Sequence, residues 1–216
     1  MTTPNDFFCS MNFFITNLYR DPLLFFSVIV SVGFSVCVHE FCHAWMAKKC
    51  GDSTAADAGH LTLNPLKQMG VISIIMLLIL GFCWGSVPVN PALLTKRQRI
   101  AVSLAGPGAN LALFVAGVMA FLIAGKLGLD FVLPVILIFT QLNLVLFCIN
   151  IAPVPGFDGG AVAAELLPMH KVYSSEVGKG FMIGMVLLLF YSVDYIFLWS
   201  SKITYFVLEF CWSLVA

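Results

Sequence analysis

The sequence predicts an all-α polytopic membrane protein of about five to six membrane helices, with a re-entrant hairpin between the first and second core spans. Three observations predict it. Sixty per cent of the 216 residues are hydrophobic and only 10% are charged, where a soluble domain has about a quarter charged. The mean hydropathy is +0.98. Apolar runs recur along the whole chain at close to the 20 or so residues that cross a bilayer core. Nothing between them reads as a separate soluble domain, so residues 1–216 are expected to form one membrane unit, with a core over 22–165 and C-terminal helices over 180–216.

The formal net charge is zero, which says nothing for a nucleic-acid partner, and none is expected. The seven cysteines are scattered, with no C-x-x-C pair. Most lie in apolar stretches, where a free thiol behaves as a small hydrophobe, so a disulfide framework is not expected. Residues 1–21 lack a basic leader and carry Asp6, Arg20 and Asp21 among aromatics. They read as a retained interfacial lead-in rather than a cleaved signal.

The elements follow in order. Residues 22–47 form the first span, running from "PLLFFSVIVSVGFSVC" into "VHEFCHAW". Residues 69–85, "MGVISIIMLLILGFCWG", are apolar but barely long enough to cross, with glycine at both ends and "SVPVNP" after them. Residues 100–124 form the next span, rich in the small residues that let membrane helices approach closely. Residues 131–152 make a third and 180–200 a fourth, while 203–216 is either a short last crossing or an interfacial helix.

The chemistry begins at His39-Glu40-Phe41-Cys42-His43. Residues four apart on a helix share a face, so both imidazoles can reach one ion. Glu40 stands beside the first ligand, placed to act as general base on a water that zinc brings to a pKa of about 7. A buried, metal-free hydrogen-bonded cluster is the plainer reading. Against it, each ionisable residue in a membrane segment costs about 2.5 kcal/mol or more, and three fall within five residues.

A catalytic zinc usually has three protein ligands and one open position. His60 and His170 lie in polar surroundings and read as interface residues. Asp158, in "NIAPVPGFDGG", is the better third candidate. It follows an apolar span, and Pro153, Pro155, Gly156, Gly159 and Gly160 break the helix around it. Such irregular backbone is tolerated at membrane depth when it is buried in protein or lines a cavity. Taken alone, "PGFDGG" reads equally as a surface turn.

The two motifs together resemble the site-2 protease family of intramembrane zinc metalloproteases, which pairs H-E-x-x-H with N-x-x-P-x-P-x-x-D-G. Here the second motif is Asn150-Ile151-Ala152-Pro153-Val154-Pro155-Gly156-Phe157-Asp158-Gly159. "GHLTLNP" (59–65), "VPVNP" (87–91) and "LAGPGAN" (104–110) are similar to the compact branch without a PDZ domain. The resemblance implies one zinc per chain on His39, His43 and Asp158, with Glu40 as base and Asn150 hydrogen-bonding the substrate or its oxyanion. It implies hydrolysis of peptide bonds in transmembrane protein substrates within a lipid bilayer. One segment departs from the pattern: after "LTLNP" the chain reads Leu66-Lys67-Gln68-Met69-Gly70, where related sequences often carry His and Asp-Pro. The resemblance therefore carries no gating or auxiliary role over to that loop.

For Asp158 to meet the histidines, spans 22–47 and 131–152 must run parallel, with 100–124 opposed. Residues 66–95 must then begin and end on one side, which favours a re-entrant hairpin over a full crossing. That topology puts Lys48, Lys49, Lys67, Lys96, Arg97, Arg99, Lys171 and Lys179 on one side, against Arg20, Lys126 and Lys202 on the other. By the positive-inside rule the site faces the cytoplasmic half, in what is expected to be a prokaryotic plasma membrane. The re-entrant segment is expected to offer an edge to an extended substrate. A catalytically silent zinc-binding regulator or chaperone is the alternative, although all four core residues are present. A transporter would show an internal repeat, and the histidine pair has no counterpart in the second half.

Overall fold

The computed structural model describes residues 14–167 and 176–215; residues 1–13 of the lead-in, His170 and Lys171 lie outside the described residues. The described chain is helical. Helix α1 spans Pro22–Lys49, α2 Gly70–Leu80, α3 Lys96–Lys126, α4 Leu133–Ile151, α5 Asp158–Leu166 and α6 Glu176–Val215. Among the described residues, four segments are long and apolar enough to cross a membrane: Pro22–Lys49, Lys96–Lys126, Asp130–Ile151 and Gly180–Leu214.

Local chemistry sets the ends. Pro22 stands in the first turn of α1, where its missing N–H would have no partner anyway, and Asp21 Oδ1 accepts from Leu24 N–H at 3.0 Å. Helix α3 opens on a reciprocal capping box between Thr95 and Gln98. Helix α2 stops at Gly81, which takes the left-handed conformation with φ 72°.

The bundle centres on α3, which packs between α1 and α4. Val102 on α3 meets His43 and Asn110 meets His39, so the two helices run antiparallel. Asn143 on α4 meets Asn110, and Thr140 lies against Gly117, so α4 is antiparallel to α3 and parallel to α1. One apolar cluster joins Phe25, Val28, Val32 and Val36 of α1 to Leu77 of α2. A second joins Phe114, Val118 and Leu122 of α3 to Leu144 of α4 and Leu208 of α6.

Between α1 and α3 the chain makes an excursion that closes on itself. Ser86 N–H donates to the Gln68 carbonyl at 3.1 Å. Asp52, fully buried just past α1, accepts from Asn90 N–H at 2.7 Å. Residues 82–90 between these ties carry no regular secondary structure. His60 lies outside the histidine–aspartate cluster, with Nδ1 3.2 Å from Gln68 Oε1, and the buried Gln68 amide donates to the carbonyls of His60 and Thr62. Gln68, in the segment that departs from the family pattern, therefore holds this loop together.

The C-terminal segments 180–200 and 203–216 are not separate elements. As far as Val215 they form the single helix α6. Lys202 interrupts the apolar run but not the helix, because no proline or glycine stands near it and its ammonium lies 4.9 Å over the Trp199 ring. Ser200, Ser201 and Thr204 are buried, and Ser201 bonds the Gln141 amide of α4.

Candidate metal centre

Helical spacing puts His39 and His43 on one face of α1, and both are buried. Their Nε2 atoms lie 2.9 Å apart. The turn after α4 brings in the third group. Gly159 and Gly160 have no side chain to hold the start of α5 off the Ile151–Val154 backbone, which a Cβ at either position would strike. That seats Asp158, the first residue of α5, with Oδ2 at 3.0 Å from His39 Nε2 and 3.3 Å from His43 Nε2. One ligating atom from each residue fits within 4.8 Å of the others.

Three features mark this as a cation cradle. Asp158 Oδ2 is buried without a hydrogen bond. The Nδ1 atom of His43 faces the Val102 carbonyl at 2.7 Å; that carbonyl can only accept, so in the neutral ring the proton sits on Nδ1 and Nε2 carries the lone pair. Gly106 of α3 lies against both rings, where an added Cβ would fall 2.6 Å from His39 Cε1 and closer still to both Nε2 atoms. An imidazole pair with a carboxylate is a donor set that zinc uses, so the residues fit the metal.

Glu40 is buried beside His39, and the backbone of Gly85 passes so close that a Cβ there would strike its carboxyl. A cavity of about 1120 Å³ opens over these groups, walled by residues 82–87, by Asn150 and by Leu189, Asp194 and Phe197 of α6. Asn150 Nδ2 donates to the Leu146 carbonyl at 3.0 Å, so one of its amide hydrogens is engaged within its own helix. At the cavity edge Arg99 grips Glu165 of α5 through Nε and Nη2 at 2.6 and 2.9 Å, and its Nη1 donates to the Leu94 carbonyl at 2.8 Å.

Sequence reading thus names His39, Glu40, His43, Asp158 and Asn150, and all five line one cavity. It misses Gly85, Gly106, the Arg99–Glu165 clamp and Asp194. For Asp194 a signal exists, since it is the one charged residue in 180–201. For Gly106 none does, because membrane helices carry such residues for packing generally.

Comparison with known proteins gives a consistent result. The sequence model of peptidase family M50 matches residues 27–130. The chain is 36% identical over 186 residues to the "Putative zinc metalloprotease YwhC" of Bacillus subtilis, covering 79% of this chain and 83% of the relative. It is 34% identical over 203 residues to the "Putative zinc metalloprotease Rip2" of Mycolicibacterium smegmatis, covering 87% and 74%. The protein of the same name from Mycobacterium tuberculosis strain H37Rv is 34% identical over 180 residues, covering 77% and 67%. No solved structure shows significant similarity to the chain.

Proposed function

Since the chain belongs to peptidase family M50, the site-2 protease type, and is an integral membrane zinc metalloprotease, we propose that it is an endopeptidase cutting transmembrane segments of other proteins, with His39, His43 and Asp158 as zinc ligands and Glu40 as general base. The observation that carries this reading is the meeting of those three donors beside Glu40 in a cavity among apolar helices. Zinc held there supplies Lewis acidity, polarising a carbonyl and making a water nucleophilic near neutral pH.

The remaining steps fall to the chain's own residues. Glu40 accepts the proton of the attacking water and returns it to the departing amine as the C–N bond breaks. The free amide hydrogen of Asn150 serves the oxyanion. A helical substrate hides its carbonyls, so it must unwind before attack, and segment 82–90, free of regular secondary structure, offers it a backbone partner beside the base. The ties Gln68–Ser86 and Asp52–Asn90 support an excursion over 66–95 that re-enters the membrane from one side. With the lysine and arginine asymmetry of the loops, they support a site in the cytoplasmic half, within a single unit over 1–216.

The test compares wild type with Glu40→Gln for zinc content and for cleavage of a model transmembrane substrate. Both forms should hold zinc. Wild type should cut, and the variant should be slower by about 100-fold or more. Zinc binding without cleavage in either form, across varied substrates, would favour a zinc-binding regulator.

A further inference from the structure

The Nδ1 sides of the two histidines are as ordered as their Nε2 sides. For His39 the partner is Asn110 Oδ1 at 2.7 Å. An amide can face either way, so this contact alone leaves the tautomer open. The links beyond it do not. Asn110 Nδ2 donates to Asn143 Oδ1 at 3.3 Å, and Asn143 Nδ2 donates to the Phe139 backbone carbonyl at 2.9 Å. A carbonyl has no hydrogen to give, so it must face the amino group of Asn143. That turns Asn143 Oδ1 toward Asn110, which must answer with its own amino group. Asn110 is left presenting its oxygen, and His39 Nδ1 must be the donor. Asn110 and Asn143 are both 0% exposed, so bulk solvent does not reach them to replace a missing partner. An unmade bond at this depth costs about 1–3 kcal/mol.

We infer that Asn110 and Asn143 are positioning residues: a hydrogen-bond relay, polarised by the Phe139 carbonyl, holds His39 in the tautomer whose Nε2 is free for zinc. The relay crosses from α4 through α3 to α1. The helix that leads into Asp158 therefore also sets the state of a ligand on α1. The inference rests on His39 being a zinc ligand.

The chain has four histidines, which makes ¹⁵N-histidine NMR of the full-length protein in detergent tractable, with assignment by single His→Gln variants. At pH 8, above the ordinary histidine pKa of about 6.5, zinc-stripped wild type should show His39 protonated on Nδ1. Asn143→Ala should show mixed tautomers and zinc affinity weaker by about 10- to 100-fold in chelator competition, the usual range for outer-shell partners. Asn110→Leu should lose as much. Asn110→Asp keeps an acceptor for His39 and should bind zinc within about threefold of wild type, whereas a merely structural role would make the buried acid as damaging as leucine. A wild-type His39 protonated on Nε2, or wild-type zinc affinity in Asn143→Ala and Asn110→Leu, would overturn the relay. Should Asn143→Ala fail to fold, the wild-type tautomer and the two Asn110 variants still decide. Zinc retained by His39→Gln would overturn the ligand assignment itself, on which the tautomer measurement does not depend.

Discussion

Gly106→Ala should empty the metal site without unfolding the protein. Its Cβ would stand 2.6 Å from His39 Cε1 and nearer to both Nε2 atoms, while ordinary contact begins at 3.4 Å. The histidine rings must therefore retreat by at least about 0.8 Å, several times the roughly 0.2 Å within which metal–ligand distances hold. Zinc affinity should fall by about 100-fold or more, beyond the range for outer-shell changes and equivalent to about 2.7 kcal/mol. The fold itself should suffer little, because alanine is favoured over glycine inside a helix by about 1 kcal/mol. The control lies two residues on: a Cβ at the exposed Gly108 meets nothing within 4 Å, so Gly108→Ala should bind zinc as wild type does. Chelator competition gives the affinities, and circular dichroism melting of the zinc-free proteins shows that each is folded. A folded Gly106→Ala protein with wild-type zinc affinity would refute the reasoning.

Other perturbations separate the parts of the site. Gly85→Ala pushes a methyl into the Glu40 carboxyl; cleavage should drop by about 100-fold with zinc still bound, and an active variant would count against Glu40 as base. Val87→Pro or Val89→Pro should impair cleavage and leave zinc content unchanged, as measured on the same preparations; undiminished cleavage would remove segment 82–90 from substrate binding. The hydrogen bonds from Arg99 hold the Glu165 carboxyl below its usual value, with burial opposing them. A depressed carboxylate stabilises the fold above its ordinary pKa, and that share is lost as pH falls through the folded value. The gap in melting temperature between wild type and Glu165→Gln should thus be present at pH 7 and shrink below about pH 4; a gap that widens on acidification would sink the idea.

How much of this could be read in one dimension follows from the range of each interaction. The H-E-x-x-H set is local, since helical spacing alone aligns His39 and His43. Asp158 is legible because a broken helix carrying an acid is out of place after an apolar span. The C-terminal break at Lys202 is misread because a charge interrupts hydropathy without interrupting a helix that has no proline or glycine there. Gly106 and Gly108 look alike in "LAGPGAN", and only the crossing of α1 and α3 tells them apart. That crossing is fixed by the same groups that serve the site: Val102 meets His43 and Asn110 meets His39. In a bilayer, lipid is as apolar as leucine, so polar contacts and close packing must specify how helices meet. Here the buried polar residues on α3 and α4 that register the bundle also orient the imidazoles. The fold and the metal centre therefore share one set of contacts, and a substitution that removes the acceptor facing His39, such as Asn110→Leu, should disturb both together.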